Sequence, residues 1–335
     1  MKHFFVLLLC LLLLLSGCSG ENSASSTRYL TSMDTVMVLT AYGPSRDRGL
    51  DLAQAEIEAL NDSLSTGLPD SEISLLNRDG SAVLSREPLE LLNSALELYR
   101  STGGLFDPTV YPLVKLWGFY DKDYHVPSDR ELADALPLLG ADRIRTEGST
   151  VTLGQGQQID LGGIGKGYAS QRACEILKQA GVQSALLSLG GNVQCLGSKP
   201  DGSPWNIGIR DPWSDSGALY AAVKVENQAV ITSGGYERYF EDPETHEIYR
   251  HILDPRTGCP AESGLSSVSI VTSDGTVGDG LSTALYIMGL EQAAEYWRTH
   301  GDFEAILIAD DSTLYATEGL RGQITSQYAI VFLTR

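Results

Sequence analysis

The chain has 335 residues, with 24 Lys and Arg against 43 Asp and Glu, for a net charge of −19 at pH 7. A surface that acidic repels phosphate backbones and excludes general nucleic-acid binding. Hydrophobic residues make up 42% and charged residues 20%, which fits a folded chain with a sizeable core and excludes wholesale disorder.

The N-terminus reads separately from the rest. Met1, Lys2 and His3 precede a continuous apolar run from Phe4 to Leu15. That run is too short to span a bilayer, which takes about 20 residues, but it suits the apolar segment of a signal peptide. It ends in Leu15-Ser16-Gly17-Cys18, which resembles a bacterial lipobox with Cys18 as the lipidated first residue of the mature chain. The alternative is an ordinary secretory cleavage site followed by an incidental cysteine. The expectation is a lipoprotein signal peptide over 1–17 and an extracytoplasmic protein, lipid-anchored to the bacterial cell membrane, where two or more acyl chains hold stably. Residues 18–27 are polar and small and read as a flexible tether, leaving 28–335 as one domain. Cys174, Cys195 and Cys259 are widely spaced, with no CxxC pair and no disulfide framework.

Tyr29 to Tyr42 mixes β-branched and apolar residues and reads as a strand. Leu50 to Leu60 and Glu87 to Arg100 carry helical apolar stripes, the second closed by Gly103. Gly167 to Ala180 reads as a third helix with Gly181 at its C-terminal cap. Ser184 to Leu189 is a buried-type strand that stops at Gly190-Gly191. Further strands are expected at Leu219–Val225, Ser267–Thr272, Ala305–Ala309 and Thr313–Thr317, and helices at Asp279–Met288 and Glu291–Thr299. Strands and helices do not alternate strictly, which favours an α+β fold over a doubly wound sheet.

Several segments are richer in glycine and polar residues than a plain connection needs. In Ile159–Tyr168 (IDLGGIGKGY) a strand end, glycines and Lys166 precede a helix. Backbone N–H groups at a helix start attract anions, so this is a phosphate-cradling layout, although a tight strand-to-helix turn explains it equally. Its spacing fits neither a Walker A loop nor GxGxxG. Asp279 and Thr283 stand at i and i+4 and share a helix face. A carboxylate and a hydroxyl so placed suit a hard cation such as Mg²⁺. The bland alternative is a dipole-favoured acid and a threonine bonded to its own backbone. His251 shows no ligand spacing with the other histidines.

Taken in order, GGLFDPTVYPLVKLWGF (103–119), IDLGGIGKGYA (159–169), SLGGN (188–192), TSGGYERYF (232–240), HILDPRTG (251–258) and DGLSTAL (279–285) resemble the successive motifs of the ApbE family of flavin transferases. Met33-Asp34-Thr35 is similar to that family's early Met-Gly-Thr, and Pro69–Ser74 to its PDSEIS stretch. The resemblance covers nearly the whole chain beyond the tether. It implies a single α+β unit of antiparallel sheets with packed helices, and an enzyme that splits FAD with Mg²⁺. FMN then passes to a Thr or Ser hydroxyl of a target flavoprotein through a phosphoester, and AMP is released. The implied targets are extracytoplasmic subunits of redox complexes, NqrC-like or RnfG-like. A hydrolytic relative would convert FAD to FMN and AMP, and a flavin-binding lipoprotein would not turn over at all. By the same resemblance Asp279, Thr283 and the backbone carbonyl near Gly163 hold the metal. Met33, Leu105, Phe106, Asp107, Asp160, Lys166 and Ile252 contact FAD, and His251 lies beside the pyrophosphate as the catalytic histidine.

The chain also departs from the family pattern. Asp34 replaces the glycine of Met-Gly-Thr, and Gly67 stands where an aromatic residue follows Ser-Thr. Arg250-His251 replaces His-His, and an arginine there is expected to hold a phosphate.

Overall fold

In the computed structural model, which describes residues 23–335, Ser25–Ser32 (β1) and Thr35–Tyr42 (β2) pair antiparallel. The predicted single strand over Tyr29–Tyr42 is therefore a hairpin, turning at Met33 and Asp34. Both take positive φ, 49° and 57°. The flanking strands require such a turn, but without the Asn-Gly that usually announces it. Ser25 to Thr27 already belong to β1, which corrects the expected tether over 18–27 at its end, because pairing with β2 fixes these residues. The signal segment 1–17 and Cys18 lie outside the described residues.

The chain continues through Arg46–Leu64 (α1), Glu72–Asp79 (α2), Ser81–Val83 (β3), Arg86–Ser101 (α3), Tyr111–Leu116 (α4) and Asp129–Ala135 (α5). Arg145–Glu147 (β4) and Thr150–Thr152 (β5) join β3 in a small sheet. Gly162–Gln179 (α6) follows, then Ser184–Leu189 (β6), Asn192–Leu196 (β7), Trp205–Arg210 (β8), Leu219–Val225 (β9) and Ala229–Gly234 (β10). Tyr239–Glu241 (β11) and Ile248–Arg250 (β12) form a short hairpin. Leu265–Thr272 (β13), Gly275–His300 (α7), Glu304–Ala309 (β14), Leu314–Thr317 (β15), Ile324–Ser326 (β16) and Ile330–Leu333 (β17) complete the chain.

The main sheet has nine strands in the order β1-β2-β6-β7-β10-β13-β14-β15-β17. Every neighbouring pair is antiparallel except β15 with β17. Its two faces bury different partners, which follows from the period of two in a strand. Met37, Leu39, Leu187, Leu189, Val268 and Ile270 point to one core with α1, α6 and α7. Cys195, Val230, Val271, Ile306 and Ile308 point to a second core closed by the three-stranded sheet β16-β9-β8. A third cluster of Leu113, Trp117, Phe119, Ala135, Phe240 and Leu253 ties α4 and α5 to the β11–β12 hairpin. The expected α+β class holds.

Two helices differ in extent from their sequence patterns. The first, α6, begins at Gly162 rather than at Gly167, so the glycine-rich segment is its opening turns. Glycine lowers helix propensity by about 1 kcal/mol per residue, and here packing against α7 compensates. A Cβ on Gly167 would lie 2.2 Å from the Gly275 carbonyl oxygen, so only glycine permits this approach. The second, α7, carries both helices predicted at 279–299, broken at Gly289 (φ 74°, ψ 173°). It starts on an Asp274 cap whose side chain accepts from the Thr276 and Val277 N–H groups.

Candidate functional site

One cavity of about 560 Å³ opens where the β1–β2 tip, the starts of α6 and α7, and the third cluster meet. That volume suits a ligand of cofactor size. Met33, Leu105, Phe106, Asp107, Asp160, Gly163, Lys166, His251, Ile252, Asp279 and Thr283 all line it, although they come from separate parts of the chain.

The helix starts supply its polar floor. Asp279 is 4% exposed, and its Oδ2 accepts from the Gly167 N–H at 2.8 Å. An ideal helix would aim that N–H at the Gly163 carbonyl. One turn later on the same face, Thr283 Oγ1 lies 3.2 Å from Ser233 Oγ of β10, which also meets Ser282 Oγ at 2.8 Å. Among the described residues no group of three or more His, Cys, Asp or Glu is placed to hold a metal. The donors here are instead one buried carboxylate, one hydroxyl and a nearby backbone carbonyl. A carboxylate buried beside a single N–H donor is compensated best by a cation. This all-oxygen set with room for more ligands fits Mg²⁺.

The rest of the lining shows why these side chains are held. Phe106 is nearly buried, and its ring reaches within 3.4 Å of where a Cβ on either Gly163 or Gly280 would stand, so it wedges between α6 and α7. Its N–H donates to Thr102 Oγ1. Asp107 lines the cavity, but its carboxylate is engaged by its own loop. Oδ1 accepts from the Thr109 N–H and hydroxyl, and Oδ2 from the Gly140 N–H. Burial nonetheless pushes the Asp107 carboxyl above its ordinary range. Asp160 Oδ1 accepts from the Gly162 N–H at 2.8 Å. Burial is the main cause that raises the Asp160 pKa. The Gly162 hydrogen bond and the Lys166 and Arg238 charges oppose it, while nearby Asp34 adds to it.

His251 follows β12, and its backbone N–H donates to the Arg238 carbonyl. Its Nδ1 also meets that carbonyl, at 3.0 Å. A carbonyl only accepts, so Nδ1 carries the proton and Nε2 keeps its lone pair. One edge of the ring opens on the cavity, yet protein surrounds the rest. That desolvation, with the Arg238 and Lys166 charges, pushes its pKa down to about 4 against the opposing hydrogen bond. His251 is therefore neutral at pH 7. The bridge between Leu253 and Pro260 and the Trp117 indole N–H on the Gly258 carbonyl anchor the loop behind it.

Several positions differ from expectation or escaped it. Arg250 is not part of the lining. It packs over Gly235, where a Cβ would stand 2.2 Å from its Cδ, and it lies beside Tyr286. The arginine that lines the cavity is Arg238, because the register of β11 against β12 pairs Tyr239 with Arg250 and leaves Arg238 at the mouth. Glu237, raised in pKa by burial against the charges of Arg210, Lys166 and Arg238, lines it too. Both lie in the segment YERYF, whose charged pair beside TSGG was the available signal. Asn61 of α1 lines the cavity, and its Oδ1 accepts from the Met33 N–H, holding the hairpin tip. Gly67 lies at the rim, with the Tyr120 hydroxyl 3.4 Å from where its Cβ would be.

Fold and cavity together define an α+β protein built around one cofactor-sized cleft, with cationic side chains, oxygen donors for a hard cation and a neutral histidine. A sequence model of the ApbE family matches residues 33–307. The chain is 32% identical over 287 residues to a FAD:protein FMN transferase of Klebsiella pneumoniae, covering 83% of this chain and 88% of that one. It is 34% identical over 276 residues to one of Treponema pallidum, covering 77% and 76%. The crystal structure of the ApbE protein of Thermotoga maritima superposes with a TM-score of 0.83 at 28% identity, covering 90% of this chain and 99% of that one. The flavin transferase ApbE of Vibrio cholerae gives 0.79 at 26% identity, with the same coverage. The chain belongs to the ApbE family.

Proposed function

We propose that this protein is an FAD:protein FMN transferase that moves FMN from FAD to a Thr or Ser hydroxyl of a target flavoprotein and releases AMP. The observation that carries the reading is the convergence of Asp279, Thr283, Lys166 and a neutral His251 on one cofactor-sized cavity. The names of the relatives support transfer of FMN from FAD to a protein. Met33, Leu105, Phe106, Asp107, Asp160, Lys166 and Ile252 would contact FAD, with Leu105, Phe106 and Ile252 supplying apolar surface and Lys166 neutralising a phosphate oxygen.

Asp279, Thr283 and the Gly163 carbonyl would hold Mg²⁺, which supplies charge neutralisation at the pyrophosphate when bound. In the transfer, the acceptor hydroxyl oxygen forms a bond to the FMN phosphorus. The bond from that phosphorus to the AMP phosphate oxygen breaks. His251 Nε2 takes the proton of the hydroxyl, a role open to it because Nδ1 is committed to the Arg238 carbonyl. Arg238 and Lys166 stand in the same cavity to hold the phosphates.

A second reading, water attacking in place of the hydroxyl to give FMN and AMP, is favoured by Gly67. No side chain extends from this position over the rim. Some hydrolysis beside transfer is therefore expected.

Cys18 following Leu-Ser-Gly supports a lipid-anchored, extracytoplasmic enzyme. Its acceptors would then be extracytoplasmic flavoprotein subunits of redox complexes, NqrC-like or RnfG-like. FAD, Mg²⁺ and a candidate acceptor domain incubated with the protein, read by in-gel flavin fluorescence and intact mass, test the activity. An acceptor gaining the mass of FMN less water supports transfer. Free FMN and AMP with no acceptor gain would leave the pyrophosphatase, and unchanged FAD would leave a binding protein.

A further inference from the structure

Asn192 opens β7 directly after the Gly190-Gly191 turn and is 2% exposed. Its Nδ2 is buried and has no hydrogen-bond partner among the described residues. It nevertheless lines the main cavity. Native folds almost always satisfy a buried amide donor, so an orphan at a ligand cavity points to an acceptor that the ligand brings.

Strand register says which part of the cavity Asn192 faces. It pairs with Leu189 of β6, and Gln194 pairs with Leu187. Leu187 and Leu189 both point into the helical core, so Asn192 and Gln194 face the helices as well. Gln194 Oε1 stands 2.5 Å from where a Cβ on Gly275 would be, at the start of α7. Asn192 lies two residues closer to the open end of the sheet, where Lys166 of α6 and Asp279 of α7 line the same cavity. Lys166 there suits a phosphate directly, and Asp279 suits one through the cation it would hold.

We propose that Asn192 is a substrate-binding residue whose Nδ2 donates a hydrogen bond to a phosphate oxygen of the dinucleotide. This rests on the FAD reading and adds a residue to it. The donor is neutral, so it adds direction without adding charge beside the metal. The strand end holds it, so little ordering is needed on binding.

The test uses the whole protein, with FAD measured in chelator so that turnover does not compete, and riboflavin as the ligand without phosphate. Asn192→Leu keeps the branched side-chain shape and removes the donor. It is expected to leave the ligand-free Tm unchanged or higher, because no bond is lost. FAD binding should weaken about tenfold, and riboflavin binding should stay within about twofold. Asn192→Asp turns the donor into a charge facing phosphate and should weaken FAD more, by about a hundredfold. A lower Tm with FAD affinity retained would make Asn192 a structural residue and overturn the proposal. Equal loss for FAD and riboflavin would overturn it too, by moving the contact to the flavin. Wild-type protein that binds no FAD would remove the flavin reading and this inference together. Wild-type binding with unaffected variants would remove the inference alone.

Discussion

Asp279 is the residue on which most of the proposed chemistry rests, because it is the buried carboxylate among the oxygen donors of the floor. Asp279→Ala is expected to abolish FMN transfer and FAD hydrolysis together, since both cross the same charged transition state. Thr283→Val should reduce turnover less, because water replaces a neutral ligand. Activity lost in EDTA should return with Mg²⁺. An Asp279→Ala protein fully active in chelator would sink the metal assignment. Lys166→Ala should weaken FAD binding more than riboflavin binding, and equal loss would show that Lys166 does not read the phosphates.

His251 tests the electrostatics at the same scale. Its pKa in the ligand-free protein is depressed to about 4, against about 6.5 in an unfolded chain. Below pH 6.5 the unfolded chain binds more protons at this site, so its contribution to stability falls as pH drops from 6.5 to about 4. A ¹H–¹⁵N imidazole titration should find one neutral ring, protonated at Nδ1, down to about pH 5. A midpoint near 6.5 for this ring would contradict the burial argument. His251→Ala should retain FAD binding and slow transfer roughly 10²–10⁴-fold.

At the scale of elements, two local geometries set the cavity walls. The closeness of α6 and α7 depends on Gly167, whose Cβ would strike the Gly275 backbone. Gly167→Ala is therefore expected to cost about 3 kcal/mol. It should also displace the N–H that bonds Asp279, so Mg²⁺-dependent turnover should fall even below the melting transition. Urea unfolding and activity on the same sample check both parts. The β1–β2 tip behaves oppositely. Met33 and Asp34 occupy left-handed backbone, which glycine adopts at no steric cost. Asp34→Gly should stabilise the fold by about 1 kcal/mol, visible as a higher urea midpoint at unchanged slope. A lower midpoint would show that the Asp34 side chain itself supports the turn.

For the whole molecule, the arrangement explains how one fold handles a substrate with apolar and charged ends. The two-sided main sheet gives a rigid base. The helices bring positive and oxygen-donor groups to its end, and the third cluster adds an apolar wall carrying His251 and Arg238 at its margin. Among the described residues no helix is long and apolar enough to cross a membrane, and the proposed anchor is Cys18. Cys18→Ala is expected to release the protein from the membrane fraction or to leave an uncleaved precursor. A mature N-terminus elsewhere, without acyl mass, would count against the anchor.

Sequence alone determined those features that depend on near neighbours. The alternating burial of β2 and β6, the apolar stripes of α1 and α3, and the shared face of Asp279 and Thr283 follow from strand and helix periods over a few residues. The order of motifs was likewise legible, and with it the α+β class and part of the cavity lining. Only the tertiary structure decided the rest. The hairpin at Met33-Asp34 was hidden because Met33 is no turn former and no glycine follows Asp34, and Asn61 of α1 holds the tip from a distance. Helix α6 starts early because a neighbouring helix rewards glycines that local propensity penalises. The register of a three-residue strand pair directs Arg238, not Arg250, to the cavity. Asn192 looked like the end of a glycine turn, and its unpaired donor exists only where the end of an interior strand meets two helix starts. Each of these outcomes is fixed by contacts between residues far apart in the chain, which no local pattern encodes.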